Sequence, residues 1–286
     1  MSNPTTVVYT AIFSDYDVLV QPQNVPEHVD FVCFTDDPEI ATGRWEPREL
    51  TGALPPRDQT ARAKMLPHDH FPAYEYSIWV DGKLGIVNDV TDLIDDAESG
   101  IVTFEHPQRD CIYKEAEVCI ELGLAKQDTV VKQMQRYRDA GFPESYGLSD
   151  VAMLVRRHHE PHVRSVMRTW YEEFQRGATR FQLSFEYALW KHGYEPDRLE
   201  REIMLQNCGY FRRLGHKPPG VWGRVHEIRV RAFERRDRTP YFLFYALASV
   251  PMYAHNAQLV LRNEGPSALA RKSLEKVGEW LSIPRR

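Results

Sequence analysis

The chain has 286 residues, of which 42% are hydrophobic, 27% charged and 12% aromatic, and its formal net charge is −5. These values are typical of a globular protein and exclude a disordered chain, a collagen and a coiled coil. No apolar run approaches the roughly 18 residues of a membrane-spanning helix, and the start of the sequence lacks the basic segment of a signal peptide, so we expect a cytoplasmic protein.

Short runs of β-branched and aromatic residues predict buried strands. The predicted strands are Val7–Phe13, Phe31–Thr35, Tyr76–Val80, Ile101–Phe104 and Val151–Val155. Helix-forming residues and helical spacing of apolar side chains predict helices between and after them. The predicted helices cover residues 58–66, 89–96, 112–122, 129–140, 162–176 and 183–192.

This alternation predicts an α/β fold with a largely parallel sheet. We expect one such domain over residues 1–210, followed by a basic and mainly helical extension over residues 211–286. The four cysteines, which show no C-x-x-C spacing, are expected to be reduced and mostly buried thiols.

Charge is distributed unevenly along the chain. Residues 1–110 contain 7 Lys and Arg against 20 Asp and Glu, whereas residues 201–286 contain 16 against 7. The basic C-terminal part, which includes an amphipathic stretch at 221–238 and an apolar run at 241–247, leaves three alternatives open: peripheral contact with an anionic inner membrane, a homodimer contact, or packing within its own fold. The acidic first part and the lack of a recognition motif argue against nucleic-acid binding.

Polar residues follow the predicted strands, where ligands bind in open α/β sheets. They include Thr35-Asp36-Asp37, Asp81-Gly82-Lys83 and Glu105-His106. Because Asp and Gly are also common turn residues, a purely structural role stays open for each. A carboxylate at a strand end, followed by glycine, is typical of a metal site that bridges a diphosphate.

Several blocks, in one order, resemble a known family. The resemblance spans about residues 7–195 and is to the glycosyltransferase-like family shared by bacterial polysaccharide-cluster proteins and plant mucilage galacturonosyltransferase-like proteins. It implies a GT-A type fold, in which a Rossmann-like nucleotide-binding sheet flanked by helices merges with an acceptor-binding half. The blocks are YTAIFSDYD (9–17), CFTDD (33–37), KMLPH (64–68), YSIWVDG (76–82), HPQRDCIYKEA (106–116), GFPE (141–144), VRRH (155–158) and QLSF (182–185).

The resemblance implies transfer of a sugar from a nucleoside diphosphate sugar, in the first place a UDP-sugar, to a glycan or glycoconjugate acceptor in polysaccharide biosynthesis. It implies that Thr10 and Ala11 lie under the nucleotide base and that Thr35 and Asp36 meet the base or ribose. Arg62 and Lys64 are implied to reach the diphosphate, but residues two apart do not share one face of a helix, so we expect at most one to do so.

Asp81 occupies the first place of the Asp-x-Asp element with which GT-A enzymes hold Mn²⁺ or Mg²⁺, and His106 is a candidate second ligand. The third place is Lys83, which cannot ligate a cation while protonated but can itself neutralise a phosphate. A metal-dependent and a lysine-based site therefore both stay open.

The expected catalytic carboxylates are Asp81, Asp110 and Asp150. Three carboxylates are candidate bases for the acceptor hydroxyl, and the sequence does not choose among them: Asp150, Glu186 and Glu144. Arg109 and Asp110 are expected to face the sugar or the diphosphate, with helix capping by Asp110 as the alternative. Phe181 stands where relatives tend to have the Asp of Arg-Asp-Gln. That difference and Lys83 motivate a second reading, a non-catalytic nucleotide- or glycan-binding relative.

Overall fold

The computed structural model describes residues 5–40, 43–50, 52, 54–200 and 209–235, together with 245, 247–250, 253–254, 257–258 and 260–261. The chain divides into two units, Met1–Arg213 and Leu214–Arg286. The strand Phe211–Arg213, at the end of the first unit, pairs with Leu84–Ile86 of the same unit. The predicted domain division at residue 210 stays a prediction.

The first unit is built on a seven-stranded sheet. Within the described residues its order is β3-β2-β1-β4-β7-β6-β8, and β5 and β9 form a separate antiparallel pair. Only β7 runs antiparallel to both neighbours, and the other six strands share one direction. The strands are Thr6–Ile12 (β1), Asp30–Thr35 (β2), Trp45–Arg48 (β3), Tyr76–Val80 (β4), Leu84–Ile86 (β5), Ile101–Glu105 (β6), Ser149–Arg156 (β7), Asp197–Leu199 (β8) and Phe211–Arg213 (β9).

Helices accompany the strands and confirm the α/β class. In the first unit they are Pro56–Met65 (α1), Pro67–His70 (α2), Ile112–Glu121 (α3), Gln127–Asp139 (α4), Pro161–Arg176 (α5) and Gln182–Lys191 (α6). The helix predicted over residues 89–96 is wrong, because only a 3-10 helix, Thr91–Ile94, forms there. Asp89 Oδ1 accepts hydrogen bonds from the backbone N–H and the hydroxyl of Thr91, at 2.9 and 2.6 Å, which favours a single local turn.

The central sheet carries apolar side chains on both faces. Because side chains alternate along a strand, Tyr9 and Trp79 pack on one face with residues of α1, α5 and α6. Val8, Ile12 and Val80 belong to a second cluster on the other face. Burial on both sides explains why these strands are continuous apolar runs that are recognisable in the sequence.

Direction within the sheet positions the candidate site. The parallel strands β1, β2 and β4 end at one edge with their carboxyl ends, after Ile12, Thr35 and Val80. Because β7 is antiparallel to β4, its amino end, at Ser149 and Asp150, lies at this same edge. Residues from distant parts of the sequence therefore meet there.

The second unit contains the helix Val221–Glu234 (α7). Its polarity differs from the predicted amphipathic pattern, since Ile228 is exposed and Arg229 is buried. Arg229 donates a hydrogen bond to the carbonyl of Leu214 and contacts Nδ1 of His226 at 3.0 Å. The apolar run at 241–247 lies largely outside the described residues, as do Arg236 and Arg238.

Two further observations concern the cysteines and the membrane-spanning potential of the helices. Cys33, Cys111 and Cys119 are free and buried, as predicted, whereas Cys208 lies outside the described residues. In the described part of the chain, no helix has the length and apolar character required to cross a membrane.

Candidate active site

Asp81 lies at the end of β4, in a turn that its backbone stabilises. Its N–H donates to the carbonyl of Ala152 on β7 at 2.8 Å, and its carbonyl accepts from the N–H of Leu84 at 2.9 Å. These two bonds fix Asp81-Gly82-Lys83 as the link between β4 and β5. The turn residues that the sequence singled out are thus held at the carboxyl edge of the sheet.

Two lysines flank the carboxylate of Asp81. Nζ of Lys64, on α1, is 2.9 Å from Oδ1, and Nζ of Lys83 is 3.2 Å from Oδ2. The indole N–H of Trp79 also donates to Oδ1, at 2.8 Å. We call Lys64, Asp81 and Lys83 the lysine–aspartate cluster.

Aromatic rings enclose the ammonium group of Lys64. Its Nζ is 5.1 Å from the ring centroid of Trp79 and 4.5 Å from that of Phe181, within the range of cation–π attraction. The Lys64 side chain is only 1% exposed, against 17% for Lys83 and 20% for Asp81. Phe181, singled out in the sequence as a departure from relatives, therefore contacts the buried lysine of this cluster.

The cluster sets the ionisation of its members. Burial lowers the pKa of Lys64, while the charge of Asp81 acts in the opposite direction. Burial by itself would raise the pKa of Asp81, but Lys64 and Lys83 outweigh it and hold that pKa well below its usual range. Asp81 is therefore a firmly ionised carboxylate.

Two further carboxylates lie beside the cluster. Asp150, at the start of β7, accepts a hydrogen bond from the N–H of Ala152 at 3.0 Å and is close enough to Lys64 for its charge to raise the pKa of that lysine. Asp17 is buried, and a Cβ atom placed on Gly82 would lie 2.9 Å from its Oδ2. The space beside the Cα atom of Gly82 is thus occupied by Asp17.

The residues expected to bind the nucleotide lie at the ends of β1 and β2. Thr10 shares a sheet face with Val8 and Ile12, so it lies on the face opposite Trp79, and its buried Oγ1 has no hydrogen-bond partner among the described residues. Ala11, partly buried, packs against the cluster that contains Trp79. The sheet thus separates two residues that were predicted to lie together.

The hydroxyl and carboxylate at the end of β2 organise the loops there. Thr35 Oγ1 donates to the carbonyl of Asp37 and accepts from its N–H, at 3.2 and 3.0 Å. Both carboxylate oxygens of Asp36 lie 2.9 Å from the backbone nitrogen of Ser14, which adopts a positive φ of 54°. Asp36 therefore holds the loop after β1 in its unusual conformation, and its contact with a base or ribose stays a prediction.

Arg62 and Lys64 have different neighbours in the structure, and their contact with a diphosphate stays a prediction. Lys64 bonds Asp81. Burial lowers the pKa of His70, and the charge of nearby Arg62 lowers it further, so Arg62 lies beside that histidine. Of these two side chains of α1, Lys64 therefore belongs to the cluster.

A polar cleft of about 380 Å³ opens beyond the end of β6. Arg109 Nε is 2.5 Å from Oε2 of the buried Glu115, and Nδ1 of His106 accepts from the N–H groups of Gln108 and Arg109 at 3.3 and 3.1 Å. Asp110 is exposed, and α3 begins after Cys111 without a side-chain capping bond. The alternative prediction that Asp110 caps this helix is therefore wrong. The lining includes Glu105, His106, Arg109, Asp110, Leu148 and Arg198.

The donor set does not fit a divalent metal ion held by Asp81 and His106. Both oxygens of Asp81 face ammonium groups, and Nδ1 of His106 is used by two backbone N–H groups while Nε2 lies 3.8 Å from Glu115. The described part of the chain holds no group of three or more His, Cys, Asp or Glu side chains arranged to bind a metal. Metal dependence, for which Mn²⁺ or Mg²⁺ was expected, is therefore unsupported by these side chains.

Sequence reasoning missed two arginines and one buried ion pair. Burial lowers the pKa of Arg57, and nearby Arg180 lowers it further, so two guanidinium groups lie close together. Arg198, which lines the cleft, is paired at 2.7 Å with the fully buried Glu186. No local motif marks these residues, because only the fold brings α1, α6 and β8 together.

Comparison with known protein families assigns this chain to one of them. The profile of the TOD1/MUCI70 glycosyltransferase-like domain matches residues 55–216, more than half of the chain. The chain belongs to the TOD1/MUCI70 glycosyltransferase-like family. The resemblance seen in the sequence is thereby confirmed, and the match contains Lys64, Asp81, Lys83, Asp110 and Asp150 but begins after β1 and β2.

This TOD1/MUCI70 family member is similar to a plant protein and to one solved structure. A probable hexosyltransferase of Arabidopsis thaliana, MUCI70, is 27% identical over 210 residues, which cover 63% of this chain and 36% of the plant protein. The chain thus spans about a third of the length of that relative. The apo structure of the bifunctional glycosyltransferase WbbM matches with 9% identity and a TM-score of 0.41, over 68% of this chain and 38% of that chain.

Proposed function

We propose that this protein is a glycosyltransferase that moves a sugar from a nucleoside diphosphate donor, specifically a UDP-sugar, to a hydroxyl group of a glycan or glycoconjugate during polysaccharide biosynthesis. Family membership supports sugar transfer. The observation that carries the proposal is the lysine–aspartate cluster at the carboxyl edge of β4, because positive charge at such an edge suits a diphosphate.

The proposed donor lies along this edge in a GT-A type arrangement. Its base and ribose would lie at the ends of β1 and β2, beside Ala11, Thr35 and Asp36, and its diphosphate beside Lys83.

The proposed acceptor occupies the polar cleft beside Arg109 and Asp110. In the transfer, an acceptor oxygen forms the new bond to the anomeric carbon, and the bond from that carbon to the β-phosphate oxygen breaks. The electron pair leaves on the nucleoside diphosphate, and the hydroxyl proton goes to the carboxylate of Asp150, which acts as general base.

Isothermal titration of the full chain with UDP, UDP-sugars and other nucleoside diphosphates, in EDTA and in Mn²⁺, tests the donor class. We expect UDP and UDP-sugars to bind and other diphosphates to bind less tightly. A chain that binds none of them under either condition is not a nucleotide-sugar glycosyltransferase.

Replacement of Asp150 by Asn tests turnover. We expect transfer, or donor hydrolysis in the absence of acceptor, to fall about 100-fold or more because the proton acceptor is lost, while UDP affinity is retained. Asp139→Asn, on the exposed end of α4, is the matched control and should leave turnover unchanged. UDP binding by wild type without any turnover would instead favour the non-catalytic binding protein.

A cytoplasmic location and contact of the C-terminal part with a membrane or a second copy remain part of this proposal. They are tested by cell fractionation and by sedimentation of the purified chain. Recovery of all protein as an unassociated monomer away from membranes would contradict both contacts.

A further inference from the structure

We propose that the ammonium group of Lys83, held by Asp81 and the buried Lys64, supplies the positive charge on the donor diphosphate in place of a divalent metal ion. This inference rests on the proposed function, because it assigns the group that stabilises the departing nucleoside diphosphate in that reaction.

Lys83 is the member of the cluster that a ligand reaches. Its side chain is 17% exposed, whereas that of Lys64 is 1% exposed. An ammonium group has three N–H donors, and the bond of 3.2 Å to Asp81 Oδ2 directs one of them to the carboxylate. The remaining donors are available to phosphate oxygens at the carboxyl edge of the sheet.

Lys64 is a positioning residue that acts through Asp81. It bonds Oδ1 at 2.9 Å, and the indole N–H of Trp79 bonds the same oxygen at 2.8 Å. With Oδ1 fixed by these two donors, Oδ2 faces Lys83. The ring centroid of Phe181 is 4.5 Å from Lys64 Nζ, so this neutral ring covers the lysine and adds no negative charge.

Charge decides between a metal ion and a lysine. The two ammonium groups already lie 2.9 and 3.2 Å from oxygens of the Asp81 carboxylate. A divalent ion bound to that carboxylate would lie beside them, and neighbouring like charges repel. A diphosphate is attracted by those groups. Lys83 is also the third residue of the motif, where a metal-binding version needs an oxygen ligand and a protonated lysine offers none.

The role of Lys83 is electrostatic. As the bond between the anomeric carbon and the β-phosphate oxygen breaks, the electron pair stays on that oxygen. Lys83 donates a hydrogen bond to the diphosphate while this charge develops and keeps its own proton.

The test is calorimetric titration of the full chain with UDP and UMP, in EDTA and in Mn²⁺. We expect wild type to bind UDP equally well in both buffers. Lys83→Met should weaken UDP binding about 10- to 100-fold, as for a lost charge-assisted hydrogen bond, but weaken UMP binding much less, since UMP lacks the β-phosphate. Lys64→Met should lower the ratio of UDP to UMP affinity in the same way.

Two further variants control the experiment. Lys83→Arg keeps the charge and should retain most of the UDP affinity in EDTA, and Lys132→Met, on the exposed face of α4, should change nothing. If UDP binding requires Mn²⁺, the inference is wrong but the proposed function still stands. The same holds if Lys83→Met weakens the binding of UDP and of UMP equally, or weakens neither. Absence of any nucleotide binding in either buffer overturns the proposed function itself.

Discussion

Asp81 shows how the surroundings of one side chain decide its chemistry. Burial would favour its neutral form, but two ammonium groups and an indole N–H favour the carboxylate and lower its pKa. A group that stays ionised throughout the physiological range is a poor proton carrier. We therefore propose that Asp81 positions Lys83 and that Asp150 accepts the proton of the acceptor hydroxyl.

Gly82 is required at its position by the packing of Asp17. A Cβ atom on residue 82 would lie 2.9 Å from Oδ2 and 3.0 Å from Cβ of Asp17, closer than atoms pack. We expect Gly82→Ala to destabilise the protein by about 1–3 kcal/mol, the usual cost of overpacking, and to weaken UDP binding because the Lys83 turn shifts. Urea unfolding and calorimetry measure the two effects.

Gly209→Ala is the control for this substitution. A Cβ atom there meets no atom within 4 Å, and the residue has no positive φ, so stability should stay within about 0.5 kcal/mol of wild type. If Gly82→Ala is as stable as this control, Asp17 does not fill the space above the turn.

At the scale of secondary structure elements, Arg156 joins α1 to the sheet. This fully buried residue of β7 donates to the carbonyl of Lys64, at the end of α1, at 2.6 Å and to the hydroxyl of Tyr9 on β1. Tyr9 also donates to the Lys64 carbonyl, at 3.3 Å. The end of α1, and with it the Lys64 side chain, is therefore fixed against two strands.

The Arg156→Lys variant tests this junction. A lysine keeps the charge but lacks the planar fork that bonds two acceptors at once, so we expect a loss of about 2 kcal/mol or more in the free energy of unfolding. Arg157→Lys is the adjacent control. Arg157 is partly exposed, pairs with Glu160 at 3.4 Å and donates to the hydroxyl of Tyr76 at 3.2 Å, so its replacement should cost about 1 kcal/mol at most. Equal losses in the two variants would contradict the role of Arg156.

At the scale of the whole molecule, buried neutral histidines make stability depend on pH. Burial lowers the pKa of His158 to about 4, and its Nε2–H donates to the carbonyl of Phe71 at 3.0 Å. Burial lowers the pKa of His68 to about 4 as well. In the unfolded chain both histidines take up protons near their ordinary value of 6.5.

These pKa values fix the sign of the effect. Between about pH 6.5 and 4 the unfolded chain binds more protons than the folded one, so stability should fall as the pH is lowered through this window. We expect His158→Gln to reduce the slope of unfolding free energy against pH by about 1.4 kcal/mol per pH unit, the contribution of one proton. Urea unfolding across the window measures it, with the exposed His162→Gln as control. An unchanged slope in His158→Gln would show that His158 does not resist protonation in the folded state.

The sequence predicted the strands that are buried on both faces more accurately than the edge strand and the short strands. The five strands predicted from apolar runs, β1, β2, β4, β6 and β7, are present, because each is buried on both faces. Strand β3 was missed because it contains Pro47, which is tolerated in an edge strand but weakens the strand pattern. The three-residue strands β5, β8 and β9 are too short to produce a periodic signal.

For the candidate site, the sequence located the turn of Asp81 and Lys83, because a strand followed by a carboxylate and a glycine can be recognised from neighbouring residues. It also assigned the family. Only the tertiary structure decided that Lys64 bonds Asp81, that Thr10 lies on the opposite face of the sheet, and that the antiparallel β7 brings Asp150 alongside. Periodicity and composition predict local structure, because they depend on residues that are close in sequence. The partners of a charged side chain depend on how elements that are far apart in sequence pack together.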